Sequence, residues 1–178
     1  ALRDFTIFRV VTLENAAYRL AETSNTFHGR DIFAPAAAHL ASGVTLEQLG
    51  TQIDNPVMLP EPALRIDNQR IRGEVLHVDH FGTLVTSVGT LRWTSADQLM
   101  LETRFGEAQS LKFDAKSTRI AVGEQVVSGI CHTYAEFEQG EVLALVGSSG
   151  HLEISINRGS FAERFNVGIG AAVEVQIG

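Results

Sequence analysis

Two patterns of apolar and polar positions divide this chain, with a proline-rich stretch between them. In residues 1–50 a short apolar run, "FTIFRVV" (Phe5–Val11), predicts a strand, and Glu14–Thr23 predicts a helix with a polar face. Ile32, Phe33, Ala36, Ala37 and Leu40 then recur at helical spacing, with Asp31 placed to cap the helix start and Pro35 inside the first turn, where a missing N–H costs little. Gly43 stops that helix, and its alanines suit close packing. "TLEQLG" predicts a further short helix, with Thr45 and Gln48 as a capping box and Gly50 at its end.

From Thr51 to Ile66 the chain carries three of its four prolines, which predicts an extended linker over residues 51–66. Beyond it, alternation takes over. "RGEVLHVDHFGTLVTSV" reads as strands at 72–79 and 83–88 around a tight "DHFG" corner. "QLMLETRF", "SLKFDA", "EQVVSGICHTYAEF", "EVLALVG", "HLEISIN" and "AAVEVQI" supply more strands, and "GSFAERF" one short helix capped by Ser160 with Glu163. Short strands with glycine turns predict a compact β-barrel or sandwich over residues 67–178. The fold class is therefore α/β plus all-β.

Composition narrows the chemistry. With 178 residues and 44% hydrophobic positions the chain can bury a proper core. A net charge of −7, with Lys112 and Lys116 its only lysines, argues against nucleic acid as a partner. No run is apolar enough to predict a membrane span, and no signal-peptide pattern opens the chain. Cys131 is the single cysteine, so no internal disulfide can form, and a reducing cytoplasm is the expected compartment. The chain starts without methionine and at full complexity, as the interior of a longer protein would.

Several constellations have ordinary explanations. His77, Asp79 and His80 lack a further ligand at fixed spacing, so no metal site is expected. Cys131 and His132 are adjacent on a strand and face opposite ways, which suits a structural cysteine. "GSSG" (Gly147–Gly150) lies between strands, where its backbone could still dock a polar ligand. His28 sits in a segment without period, next to Gly29, and is either a site residue or part of a helix cap.

"SNTFHGRDIFAPAAAHLASG" (Ser24–Gly43), "VDHFGT" (Val78–Thr83) and "SSGHLEISINRGS" (Ser148–Ser160) together resemble the motifs of the S-adenosyl-L-methionine hydroxide adenosyltransferases, relatives of the fluorinating and chlorinating enzymes. The resemblance implies that residues 1–50 are the C-terminal part of an α/β domain, and that an N-terminal segment carrying an active-site aspartate and arginine precedes them. It implies hydrolysis of S-adenosyl-L-methionine to adenosine and L-methionine, with no cofactor, and a homotrimer whose sites lie at subunit interfaces. It gives His28 the role of orienting the attacking water. It assigns substrate binding to Phe27, Asp79 (methionine ammonium), Phe81 and Tyr134 (adenine or ribose), Thr83, Ser148, Glu153 and Ile156. Thr83 stands where the family usually has asparagine, and a hydroxyl offers one rotatable donor where an amide both donates and accepts. The competing expectation is a non-catalytic nucleoside-binding or trimer-forming module of the same family.

Overall fold

The computed structural model describes residues 9–178, which divide into two compact units between Leu59 and Pro60. Of the strand expected at Phe5–Val11, residues 5–8 lie outside the described residues, and Val11 forms an isolated antiparallel bridge with Gln52. The helix expected over Glu14–Thr23 is only a 3-10 turn, Ala16–Tyr18, because Arg19 turns extended and Leu20 N–H donates to the Asp31 carbonyl at 2.9 Å.

That carbonyl is free for a reason. Helical geometry begins at His28, ahead of the expected cap at Asp31, and residues Gly29–Phe33 form a π turn that runs into α1 (Ala34–Ala41). Pro35 has no N–H to offer the carbonyl four residues back, and its ring would crowd it. The widened turn relieves the clash and leaves Asp31 O for Leu20. Asp31 is thus a strut within the turn and not its cap. Its buried carboxylate accepts Ser24 N–H at 2.8 Å and the Arg30 guanidinium at 2.6 Å. The apolar stripe of α1 is only partly covered: Ala36 is buried, but Phe33 is 60% exposed and Ala37 and Leu40 are also exposed. The helix ends at Gly43, which has positive φ, and α2 (Leu46–Leu49) follows, where Gln48 Oε1 accepts Thr45 N–H at 2.9 Å.

The second unit holds β1 (Leu64–Asp67), β2 (Arg70–Val78), β3 (Leu84–Thr86), β4 (Leu91–Trp93), β5 (Gln98–Glu102), β6 (Ser110–Asp114), β7 (Arg119–Val122), β8 (Gln125–Ser128), β9 (Val142–Val146), β10 (Leu152–Ile156), α3 (Phe161–Phe165) and β11 (Ala172–Gln176). The main sheet runs β8-β7-β11-β2-β3-β10-β9, with β1 also on β2, and β4-β5-β6 form a smaller sheet. After β8 the chain turns at Gly129 and bridges Cys131 to Leu145 of β9, so the sheet nearly closes on itself. The expected strand over residues 124–137 therefore stops early and ends in a 3-10 turn, Tyr134–Glu136. β1, β4 and β7 are additional to the strands read from the pattern. The linker expected to end at 66 ends sooner, because β2 captures Leu64–Asp67 as a strand and Glu74 and Ser87 bind the backbone of Ala63.

Ile71, Val75, Leu84, Leu99, Leu101, Ile120, Leu152, Ile154, Val173 and Val175 fill the interior, and Phe161 of α3 is buried completely among them. Phe161→Ala should cost about 3–5 kcal/mol, because rigid strands cannot collapse into the space vacated, and denaturant titration would measure it. In the first unit, hydrogen bonding from Arg30, then from Ser24 N–H, holds the Asp31 carboxyl below its usual range. Its folded pKa lies below the unfolded one, so this stability is present above the ordinary carboxylate range and is lost as pH falls through the lowered value. Asp31→Asn should destabilise the chain at neutral pH and flatten the acid limb of a stability–pH curve.

Candidate active site

The corner between β2 and β3 is built by one carboxylate oxygen. Asp79 Oδ1 accepts both Phe81 N–H and Thr83 N–H at 2.8 Å, which bends residues 79–83 into a tight loop. Gly82 has φ +80, and a Cβ there would lie 2.8 Å from Ser160 Cα, so only glycine lets the corner rest on the start of α3. Gly82 carbonyl accepts Ala162 N–H at 3.1 Å, and Ser160 Oγ caps α3 by accepting Glu163 N–H at 3.1 Å.

This contact forms one wall of a cleft of about 520 Å³ lined by Asp79, Phe81, Thr83, Tyr134, Ser155, Ile156, Arg158, Gly159 and Ser160. The opposite wall comes from the turn that carries Tyr134, whose end is tied down by Asn157 Nδ2 donating to the carbonyls of Phe137 (2.7 Å) and Tyr134 (3.3 Å). Beneath that turn Cys131, Leu143 and Leu145 make a small apolar cluster on the outside of the sheet. Ile154 is core, so its neighbour Ser155 faces outward into the cleft. Thr83 Oγ1 and Ser155 Oγ lie 3.0 Å apart on its floor. Phe81 is 76% exposed at the mouth, an uncovered aromatic face beside a polar floor.

Of the residues expected to bind substrate, Asp79, Phe81, Thr83, Tyr134 and Ile156 line this one cleft. Ser148 and Glu153 do not. Ser148 lies exposed in the turn between β9 and β10. Glu153 is half-buried on β10, its carboxylate filling the space beside Gly147, and burial, then the nearby Asp79 charge, push its pKa up. Ser155, Arg158, Gly159 and Ser160 line the cleft as well, although the residue pattern assigned none of them a site role. Strand alternation from Glu153 points to Ser155, but the turn that returns Arg158 to the cleft, through positive φ, has no periodic signal.

His28 and Phe27 belong to the first unit. Both are exposed at the head of the π turn, with the Arg30 guanidinium 5.0 Å over the Phe27 ring. His28 stands at the N-cap position of the π turn, but its side chain makes no capping bond. The other constellations are committed elsewhere. His132 stacks on Trp93 at 3.8 Å, with Nε2 2.8 Å from Ala96 O, and is not paired with Cys131, whose thiol pKa is pushed up by burial and then by Glu136. Among the described residues no group of three His, Cys, Asp or Glu is placed to hold a metal, and no helix is long and apolar enough to cross a membrane.

Residues 73–174 match the SAM hydroxide adenosyltransferase C-terminal domain, and residues 2–50 match the N-terminal domain of the same family. An (R)-S-adenosyl-L-methionine hydrolase of Salinispora tropica is 32% identical over 171 residues, covering 94% of this chain and 57% of the relative. One from Thermus thermophilus is 33% identical over 150 residues, covering 84% and 49%. The solved structure of an uncharacterized conserved protein from Thermotoga maritima superposes with a TM-score of 0.65 at 26% identity, covering 97% of this chain and 61% of that one. The chain spans about half the length of the curated relatives it matches. With both domain types matched in order and the barrel unit matched nearly throughout, this chain belongs to the S-adenosyl-L-methionine hydroxide adenosyltransferase family.

Proposed function

We propose that the protein carrying this chain hydrolyses S-adenosyl-L-methionine to adenosine and L-methionine. The observation that carries the reading is the cleft, which gathers Asp79, Phe81, Thr83, Tyr134 and Ile156 from distant parts of a chain 32% identical to an (R)-S-adenosyl-L-methionine hydrolase. The aromatic groups suit a nucleoside, and Asp79, with Oδ1 spent on the backbone, keeps Oδ2 for an ammonium. A water oxygen attacks the ribose C5′ as the C5′–sulfur bond breaks behind it. Sulfur leaves as the neutral thioether of methionine, and the water gives up one proton. Positive charge on the sulfonium disperses along the reaction, so a site with little competing water favours the step. Holding one water in line is a positioning task, which we assign to His28. The sulfonium is itself the leaving group, so the reaction needs no cofactor.

We further propose a homotrimer in which the first unit of one subunit faces the cleft of the next. The exposed Phe27 and Phe33, at the two ends of the turn that His28 heads, support this reading, because exposed apolar side chains suit an interface. The lone buried Cys131 thiol supports a reducing, cytoplasmic setting.

Chromatography of the natural polypeptide incubated with S-adenosyl-L-methionine should show adenosine and methionine in equal amounts. Adenine, or a methylated acceptor, would overturn the mechanism, and nucleoside binding without products would leave a binding module. His28→Ala should slow turnover by about 10²-fold or more with little change in substrate affinity. Its melting temperature should stay near that of the parent, since the imidazole caps nothing. Lower thermal stability with normal turnover would make His28 structural.

A further inference from the structure

The floor of the cleft holds two hydroxyls that are almost wholly buried, Thr83 at 3% and Ser155 at 2% exposure. Their oxygens lie 3.0 Å apart, either can be the donor, and neither hydroxyl has another partner among the described residues. Two hydroxyls carry two hydrogens, and the bond between them uses one. Whichever oxygen accepts keeps its own hydrogen, and whichever donates keeps its lone pairs. The pair therefore presents a donor beside an acceptor to the cleft, and buried groups of this kind seek partners.

We propose that the Thr83–Ser155 hydroxyl pair is a reversible reader of the nucleobase edge. The inference rests on the nucleoside reading of the cleft. The side chains lining the same cleft include the rings of Phe81 and Tyr134, which suit a flat heteroaromatic ligand. On its N1–C6 edge a six-amino purine offers a donor next to a ring acceptor, and a six-oxo purine offers the reverse on that edge. An asparagine must turn over its whole amide to change from one pattern to the other. The hydroxyl pair changes by rotating two hydrogens, with no heavy atom moving. Position 83 thus sets the range of bases accepted, and this chain takes six-amino and six-oxo purine nucleosides about equally.

The test is calorimetric titration of adenosine, inosine and purine riboside, which lacks the six-substituent, into the assembled full-chain protein and its Thr83→Val variant. Adenosine and inosine should bind the parent within about threefold of each other, and purine riboside about tenfold more weakly, the worth of one net hydrogen bond. Thr83→Val keeps the shape and removes one hydroxyl. It should weaken adenosine and inosine by about two- to tenfold and leave purine riboside nearly unchanged, a coupling that a purely structural hydroxyl would not produce. Ser155→Ala, which removes the other hydroxyl, should repeat the pattern and guards against a folding defect in the first variant. A parent preference for adenosine beyond about a hundredfold, or equal losses for all three nucleosides, would overturn the reversible pair while leaving the nucleoside cleft standing. If no nucleoside binds the parent, both the pair and the functional reading fall.

Discussion

Asp79 Oδ1, held between two backbone N–H groups, is the constraint on which the cleft depends. By fixing the corner after β2 it places Phe81 at the mouth and Thr83 on the floor, and it brings Gly82 against Ser160. A carboxylate accepting two backbone donors is both a structural staple and a fixed negative charge. Asp79 lines the same cavity as the hydroxyls and rings, so the residue that shapes the loop also adds to the polarity of the cleft. Glu153 adds to this: its raised pKa reflects burial first and the nearby Asp79 charge second.

The barrel supplies rigidity where the site needs it. β10 buries Leu152, Ile154 and Ile156, and the opposite alternation sends Ser155 outward. The same strand lies between β3 and β9, so the hydroxyl pair, with one member on β10 and the other just before β3, is fixed by sheet register together with the corner that Asp79 braces. The turn carrying Tyr134 is anchored by Asn157 and rests on the outer cluster of Cys131, Leu143 and Leu145. The single cysteine thus has a packing role at the foot of the cleft, and its raised pKa accords with an inert thiol.

The first unit holds its polar turn by different means. Pro35 forces a π turn, the released Asp31 carbonyl ties Leu20, and the Asp31 carboxylate ties Ser24 and Arg30. These bonds commit Ser24, Arg30 and Asp31, the polar groups that brace the turn. The imidazole of His28 makes no hydrogen bond among the described residues, and π turns of this kind recur at functional sites.

Much of this protein was legible in its residues alone. Alternation and glycine punctuation marked most strands, the capping residues marked α2 and α3, three ordered motifs pointed to the family, and the resemblance named five of the nine residues that line the cleft. Such signals are local: a period of two, a cap at fixed offset or a run of identical residue types needs no partner to be read. What only the tertiary structure decided depended on partners distant in sequence. Leu64–Asp67 became a strand because β2 was there to pair with it, and Glu14–Thr23 lost its helix because Leu20 found the Asp31 carbonyl. Asp31 moved from cap to strut because proline widened the turn around it. Thr83, read singly, was one hydroxyl in place of an amide, and only the pairing of β3 with β10 set Ser155 beside it and made two hydroxyls act as one group.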